Sequence, residues 1–313
     1  STSNKGEFSL SRDPWVDVGQ IILSKFSQDV TFYYKDALVG KPVISVKETP
    51  DQGFTPALQQ LDIVNKVSRF DVEVISPQVA GESFKIKLTA RDEVGNINAL
   101  YDGTAKLSLN YVSPSSGAFY ISPDNISGFV KGALEMNATY PDCGLVTITV
   151  TDSVDSTLIG TSSQILFLPA GFTVSAEGLQ TSSKPFTLTL TAKNAQGLIA
   201  PNYNGTVNLY PVAVTPLDIS KAILSPLNAA GSNFANGSAF VNTSYNLYGT
   251  IKLKGEDSVD TTKLGVSEKI KFLPKRMTIN INPAPGGRDF VYINEPIEIV
   301  SRVEYEQGNP IPN

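Results

Sequence analysis

The chain contains TDSVDSTLIGTSSQILFLP at residues 151–169 and EDSVDTTKLGVSEKIKFLP at residues 256–274. The second stretch repeats the first at a distance of 105 positions. The likeness extends upstream, where FDVEVISPQVAGESFKIKLTARD from Phe70 is matched by FTVSAEGLQTSSKPFTLTLTAKN from Phe172. Self-similarity at a fixed period predicts a tandem array of one structural unit.

Each unit contains short runs in which every second residue is apolar. FKIKLTA at 84–90 and VTITVT at 146–151 are examples. Period two with one apolar face is typical of a half-buried antiparallel strand. Turn sequences such as DEVGN, NAQG and SPSSG separate the runs. About seven strands in roughly 100 residues predict an all-β fold of tandem immunoglobulin-like β-sandwich domains in an elongated rod.

The motifs A-x-(D/N)-x-x-G, Y-x-G-T and G-x-(V/I)-x-(I/L) follow one another in both units. This pattern resembles the tandem bacterial Ig-like (filamin/invasin-like) repeats of large cell-surface proteins, over nearly the whole chain. The resemblance implies an extracellular location at the cell surface. Antibody domains are a different branch, because their Cys–Trp–Cys spacing is missing.

The repeat also predicts the domain organisation. GKPVISVKETPDQGF, from Gly40, aligns with the second half of a unit, and the C-terminal strands are predicted at 277–282 and 296–304. The four predicted segments are the C-terminal part of an Ig-like domain (1–69), two complete Ig-like domains (70–169 and 170–274), and the first two strands of a further Ig-like domain (275–313).

The two terminal segments together make about one repeat, and both are cut in the same loop. Asn313 aligns with Asn202, and Gly6 with Gly205. Neither segment can bury its apolar face alone. The chain is an excerpt of a longer array, or its ends close on each other, or the C-terminal strands complete the N-terminal segment of a neighbouring copy. The last arrangement is a head-to-tail contact that builds filaments unless it closes into a ring. Its candidate pairing residues are Met277, Ile279, Ile281, Ile297 and Ile299.

Composition excludes several function classes. The 313 residues carry a net charge of -5 without a basic run, which argues against nucleic acid as a partner. No apolar stretch approaches the 18 or so residues that span a bilayer. The chain has no histidine, so the usual general base and the Ser-His-Asp triad are absent. We therefore expect no enzyme and name no catalytic residue. The single cysteine, Cys143, is interpreted as a small residue at a turn rather than a reactive thiol.

Acidic residues recur in the last hairpin loop of each unit, at a pole that also receives the RDEVGN loop. No cofactor is required, but carboxylates converging at a domain junction predict Ca²⁺ as a possible ligand. The alternative is a solvated acidic turn, which is favoured because the second unit has Lys193 and Asn194 in the loop where the first has acids. The candidate metal ligands are Asp92, Glu93, Asp152, Asp155, Asp257 and Asp260.

Five N-x-S/T sequons make glycosylation a further prediction. They begin at Asn125, Asn137, Asn204, Asn236 and Asn242. Among the aromatic residues, Phe32 and Tyr34 fall on one strand face, which predicts core packing. Trp15 is either packed against the core or strands, or an exposed platform for a sugar.

These observations predict a structural, self-associating segment of a secreted cell-surface protein, such as an S-layer, a fibre or an adhesin stalk. Its expected partners are copies of itself or flanking domains of the same long chain, with a surface glycan as a further possibility. The alternative is a carbohydrate-binding or accessory module of an extracellular enzyme or adhesin. The stretch 211–234 is longer than its counterpart in the first repeat, which is the modest support for that alternative.

Overall fold

The computed structural model describes residues 1–23, 29–117, 119–214, 219–281, 287–288, 290–306 and 309–310. These residues form two compact units. One unit contains Ser1–Arg69, Thr89–Asp102 and Phe129–Ala133, and the other contains Phe70–Leu88, Gly103–Gly128 and Leu134–Asn313. Among the described residues the single helix is a 3-10 turn, Gly231–Asn233, and the remaining regular structure is β-strand.

The N-terminal segment contains four short strands in two antiparallel pairs. The strands are β1 (Gly6–Ser9), β2 (Tyr33–Asp36), β3 (Val43–Val46) and β4 (Ala57–Gln60). β1 pairs with β2, and β3 pairs with β4. Only Ser9 and Pro42 are buried among the described residues 1–69. This segment therefore has strands but no hydrophobic core of its own.

The first repeat forms two sheets, in the orders β10-β7-β5 and β6-β13-β11-β8-β9, with β12 added beside β11. Its strands are β5 (Val67–Glu73), β6 (Gln78–Val79), β7 (Ser83–Asp92), β8 (Ala105–Ser113), β9 (Asn125–Ile126), β10 (Ala133–Thr139), β11 (Gly144–Asp152), β12 (Ile159–Thr161) and β13 (Ile165–Leu168).

The second repeat has the same arrangement, with sheets in the orders β14-β16-β21-β18 and β15-β24-β22-β17-β19; β20 and β23 join at β21 and β22. Its strands are β14 (Gly171–Ser175), β15 (Leu179–Thr181), β16 (Phe186–Lys193), β17 (Val207–Ala213), β18 (Leu224–Ser225), β19 (Asn228–Ala229), β20 (Phe234–Ala235), β21 (Ser238–Tyr245), β22 (Gly249–Asp257), β23 (Leu264–Val266) and β24 (Ile270–Leu273).

The two sheets of each repeat pack face to face through the alternating apolar residues. In the second repeat, Leu188 of one sheet and Leu253 of the other belong to one buried cluster. Phe186 and Phe272 meet edge to face across the sandwich, with ring centroids 5.4 Å apart. Phe84 and Phe167 make the matching contact at 5.2 Å in the first repeat. The predicted all-β, immunoglobulin-like sandwich class is confirmed, whereas the four segment boundaries stay predictions.

The C-terminal segment forms β25 (Arg276–Ile281), β26 (Ile299–Glu306) and β27 (Asn309–Pro310), in the order β25-β26-β27. The prediction that the second strand starts at Pro296 is wrong, since β26 begins at Ile299. Proline has no backbone N–H to donate to a ladder and therefore sits outside the strand. Residue 282, the predicted end of the first strand, and Asn313 lie outside the described residues, as do 215–218 of the longer stretch 211–234.

Candidate assembly surfaces and the joint between repeats

The C-terminal hairpin has the same register as the first hairpin of the second repeat. In β14 and β16, Phe172 lies opposite Ala192 and Val174 opposite Leu190. The corresponding pairs in β25 and β26 are Met277 with Val303 and Ile279 with Ser301. Because Met277 follows Phe172 by 105 positions, the hairpin is built as the first hairpin of a further repeat.

The burial of the two hairpins differs sharply. Phe172 and Val174 are 7% and 5% exposed in the core of the second repeat. Met277 and Ile279 are 69% and 68% exposed at the same positions, and Ile281, on the same face, is 62% exposed. No residue is buried in the described part of 275–302. The hairpin therefore presents an apolar face that nothing in the described chain covers.

The loop before β26 repeats a backbone feature of the complete repeats. Gly81 and Ser183, which precede the second main strand of each repeat, have φ angles of +82° and +58°. Asn294 holds the corresponding position before β26, with φ at +66°. A positive φ at an aligned position in all three units supports their structural equivalence, because non-glycine residues rarely adopt it.

The N-terminal segment carries the complementary half of the pattern. Gly40 forms an antiparallel bridge with Ile63. The same bridge joins Gly144 to Phe167 in the first repeat and Gly249 to Phe272 in the second. The N-terminal segment thus contains one strand pairing that is equivalent in position to a pairing in both complete repeats, and its assignment as the second half of a unit stays a prediction.

A small aromatic cluster replaces the missing core of this segment. Phe8 packs against Phe32 and Tyr34, with ring centroids 5.9 Å and 5.0 Å apart. Phe32 and Tyr34 share one face as expected, but the predicted core packing is limited to this cluster, because both side chains are only half-buried. Trp15 is half-buried beneath the ammonium of Lys35, which lies 4.3 Å from the ring centroid. That face of the indole is thus occupied by an intramolecular cation–π contact.

The predicted pairing residues are brought together in part. Met277, Ile279 and Ile281 follow one another on one face of β25, and Ile299 lies opposite Ile281 on β26. Ile297 precedes the strand, two residues before β26 begins. The intersubunit role of these five residues stays a prediction at this point.

The joint between the two complete repeats is a packed and hydrogen-bonded contact that the sequence did not reveal. Ala80 and Cys143 of the first repeat are buried within the hydrophobic cluster of the second. The backbone N–H of Ala195 donates to the carbonyl of Ala80 at 2.9 Å. The side chain of Gln196 donates to the carbonyl of Gly81 at 2.6 Å. The one sequence signal for such close docking is the short link between Pro169 and Phe172.

Cys143 is a component of this joint rather than only a small residue at a turn. Its side chain is fully buried, and burial raises the pKa of the thiol well above its usual value. A thiol in this setting stays protonated and packs as a small apolar group.

Replacing Gly81 by alanine is expected to open the joint. A Cβ at Gly81 would occupy the place of the Gln196 side-chain amide, which must then move and give up its hydrogen bond to the Gly81 carbonyl, and it would lie 3.2 Å from the backbone nitrogen of Ala195. Gly197 is the matched control, because its φ of +75° is close to the +82° of Gly81 but a Cβ there meets nothing within 4 Å. Both variants carry the backbone cost of a positive φ, about 1 kcal/mol. We expect only Gly81→Ala to reduce hydrogen-exchange protection of the Ala195 amide, by tenfold or more; equal loss in both variants would contradict a tight joint.

Asp142 places a buried carboxylate at the same joint. Its Oδ1 accepts the backbone N–H groups of Cys143 at 2.8 Å and of Asn202 at 3.0 Å. Its Oδ2 is buried without a hydrogen-bond partner among the described residues. Burial raises the pKa of this carboxyl above its ordinary value of 3.8. The carboxylate thus ties the two repeats together at the cost of an unpaired buried charge.

Asp142→Asn is expected to stabilise the chain at neutral pH. The folded state keeps the proton of Asp142 at pH values where the unfolded state has released it, so stability falls as the pH rises from 3.8 through the raised pKa. Asparagine can still accept both N–H groups, and it removes the charge. We expect a gain in unfolding free energy at pH 7 that becomes smaller as the pH is lowered and disappears below pH 3.8. Urea unfolding of both proteins across this range measures it, and a loss of stability at pH 7 would contradict the interpretation.

The acidic residues of the hairpin loops serve as turn acceptors. Asp257 is fully buried, and its Oδ1 accepts the N–H groups of Val259 and Asp260 at 2.8 Å and 3.0 Å. The hydroxyl of Tyr203 donates to its Oδ2 at 2.6 Å. Oδ1 of Asp152 makes the matching pair of turn contacts in the first repeat. Within the described ranges, no three His, Cys, Asp or Glu side chains come together as a metal site would require. Ca²⁺ binding stays a prediction, which a Ca²⁺-dependent rise in Tm would support.

Asp92 is likewise engaged in its own loop. Its carboxylate accepts hydrogen bonds from Nδ2 of Asn65 at 2.9 Å and from the N–H of Asn96 at 2.8 Å. The Asn65 bond is the main reason that the pKa of Asp92 lies below its usual value. Asp155 and Asp260 accept the neighbouring threonine hydroxyls of Thr157 and Thr262. Glu93, beside Asp92, is exposed.

All five sequon asparagines are exposed. Asn137 on β10 and Asn242 on β21 lie 105 positions apart and occupy the same place in the two repeats. Asn204 lies at the joint, where its Nδ2 donates to Oγ of Ser113 at 2.8 Å. Occupancy by glycan stays a prediction at each of them. None of the helices in the described part of the chain has the length and apolar character to cross a membrane.

No protein-family model matches the chain, and no curated protein matches it in sequence. Among solved structures, it resembles the Escherichia coli adhesin FdeC, with 15% identity and a TM-score of 0.41 over 77% of each chain. It also resembles invasin, a bacterial integrin-binding protein, with 15% identity and a TM-score of 0.38 over 82% of this chain and 50% of that one.

The adhesin InvE of Yersinia pseudotuberculosis is a third relative in structure, with 15% identity and a TM-score of 0.35 over 65% of this chain. The chain spans 58% of the InvE structure. These three structures are bacterial adhesin and invasin domains.

Proposed function

We propose that the chain is a structural, self-associating segment of an extracellular cell-surface protein. Copies join head to tail when the C-terminal hairpin of one copy completes the N-terminal segment of the next. The observation that carries this proposal is the hairpin β25–β26, which has the register of a core hairpin and an exposed apolar face.

The two terminal segments supply complementary parts of one sandwich. The hairpin corresponds to β14 and β16 of the second repeat, whereas the N-terminal segment contains the Gly40–Ile63 bridge of the later strands. Covering an apolar side chain such as Ile279 contributes about 1.5–3 kcal/mol. An exposed apolar face of this kind marks an interaction site in a soluble protein. Joining the segments completes a sandwich that neither forms alone.

The stiffness of the joint suits a load-bearing or spacing role. Ala80 and Cys143 lie in the core of the following repeat, so bending there exposes apolar surface and breaks the Ala195–Ala80 hydrogen bond. An array with such joints holds its domains at a fixed spacing along its length, as expected for a fibre, stalk or surface layer. The cell-surface location is supported by the repeat motifs, and it predicts that antibodies against the chain bind intact cells.

A charge on the exposed face of the hairpin is expected to prevent assembly. Ile279→Lys places an ammonium where a core side chain is needed, and Thr278→Lys places the same charge on the opposite face of β25. We expect the wild type and Thr278→Lys to form oligomers whose mass rises with concentration in light scattering. Ile279→Lys should associate at least tenfold more weakly, with an unchanged Tm for the two complete repeats. Equal assembly of all three proteins, or none in the wild type, would contradict the proposal.

A further inference from the structure

We infer that residues 29–34 of one copy receive β26 of the neighbouring copy as an added antiparallel strand, with Ile299 opposite Phe32. This inference rests on the proposed head-to-tail assembly and assigns its partner strand and register. The occupant is a second copy of this chain.

The second repeat supplies the template for this register. There β16 pairs with β21, and Leu188 lies opposite Val241. β26 holds the place of β16, because its pairing with β25 repeats that of β16 with β14. Residues 29–36 hold the place of β21, because they precede Gly40 as β21 precedes Gly249. Transferring the pairs places Ile299 opposite Phe32 and Ile297 opposite Tyr34.

Both strand edges are open to this contact within the described chain. β2 pairs with β1 alone, and residues 29–32 belong to no strand. β26 pairs with β25 on one side, and on its other side β27 contacts it only from Glu304 onward. The edge of β26 before Glu304 is therefore free of strand pairing among the described residues, whereas the same edge of β16 is covered by β21.

The apolar face agrees with the register. Phe32 and Tyr34 share the face that packs on Phe8. Ile299 lies on the exposed apolar face of the hairpin, opposite Ile281. Pairing Ile299 with Phe32 joins the two apolar faces into one. A shift of the strand register by one residue would turn one of the two apolar faces toward solvent. The alternative registers are therefore shifts by two or more residues.

Charge complementarity selects among the remaining registers. The same alignment places Asp29 of one copy opposite Arg302 of the next, and both side chains are exposed. In the second repeat this position holds Thr191 and Ser238, whose hydroxyls are hydrogen-bonded at 3.1 Å. Cross-strand pairs of opposite charge are stabilising. A slip by two residues would remove this pair.

Disulfide trapping tests the register. Thr31 and Val300 are opposite each other in it and face outward, so Thr31→Cys with Val300→Cys should cross-link neighbouring copies under mild oxidation. The control, Lys35→Cys with Val300→Cys, is four residues out of register on the same face, about 13 Å away. Native Cys143 is buried and common to both proteins. We expect at least tenfold more disulfide-linked oligomer from the first protein on a non-reducing gel.

Light scattering of the same proteins under reducing conditions distinguishes a failure of the strand register from a failure of head-to-tail assembly. Association together with a ladder from the in-register protein alone supports the inference. Association with no ladder, or with equal ladders, overturns the register and leaves head-to-tail assembly standing. Absence of association overturns both.

Exchanging the charges gives a second test that needs no cysteine. Asp29→Arg and Arg302→Asp should each weaken association about two- to fivefold, and the double variant should recover it. If the double variant associates no more strongly than the two single variants, the assigned pairing of Asp29 with Arg302 is wrong.

Discussion

Replacing Phe272 by alanine is expected to cost about 3–5 kcal/mol of unfolding free energy, the usual range for a buried phenylalanine. Phe272 is fully buried between Phe186 and Tyr245, with ring centroids 5.4 Å and 4.9 Å away. It joins the two sheets of the second repeat, so its loss leaves a cavity at the centre of the sandwich. Edge-to-face aromatic contacts are lost as well.

Phe240→Ala is the matched control, because Phe240 lies in the same repeat with a side chain 72% exposed. Urea unfolding followed by circular dichroism should show a change within about 0.5 kcal/mol for it. The joint could couple the repeats, so the unfolding of each repeat should be followed separately by hydrogen exchange. A similar cost in both variants would show that the sandwich does not depend on this contact.

The aromatic contacts of the core explain why the fold could be predicted from the sequence. Phe84 and Phe186 occupy aligned positions, and so do Phe167 and Phe272. The alternation of apolar and polar residues predicts that these side chains point into the sandwich. The repeat predicts that they occupy equivalent positions in both units. Both levels of pattern agree, and such agreement is what makes a sequence specify one fold.

The joint between the repeats could not be predicted in the same way. The bond from Gln196 to Gly81 joins loops 115 positions apart, and the bond from Asn202 to Asp142 joins loops 60 apart. Neither loop has a periodic pattern of apolar residues. Each loop residue contacts one particular partner in the neighbouring repeat, and such contacts leave no regular spacing in the sequence. The first repeat has Asp92 where the second has Asn194, so even the repeat does not predict these contacts.

In the terminal segments, alignment with the complete repeats predicts one strand pairing correctly and misses another. The pairing of Gly40 with Ile63 followed the repeat, but β2 pairs with β1, whereas the corresponding strand β21 pairs with β16. β1 lies along one edge of β2, and the other edge of β2 has no partner strand among the described residues. Sequence alignment identifies the equivalent residues, and the available partners decide the pairing.

Removing the hydroxyl of Tyr203 is expected to cost about 2 kcal/mol. This hydroxyl donates to the buried carboxylate of Asp257 at 2.6 Å, and a hydrogen bond to a charged group contributes about 1.5–3 kcal/mol. Burial raises the pKa of Tyr203 far above its usual value, so it remains a donor at all ordinary pH values. Tyr248→Phe, at an exposed tyrosine of the same repeat, should change stability by less than about 0.5 kcal/mol.

A double-mutant cycle with Asp257→Asn isolates this contact. Asparagine retains an oxygen for the N–H groups of Val259 and Asp260, but its amide nitrogen cannot accept the Tyr203 hydroxyl. We expect each single variant to lose about 2 kcal/mol and the pair to lose about 1–2 kcal/mol less than their sum. Additive losses would mean that the two groups act separately. The same proteins also test Ca²⁺, because a metal held by Asp257 would raise the Tm of the wild type and of Tyr203→Phe but not of Asp257→Asn. A carboxylate that only closes the turn and anchors Tyr203 would leave all three insensitive to the metal.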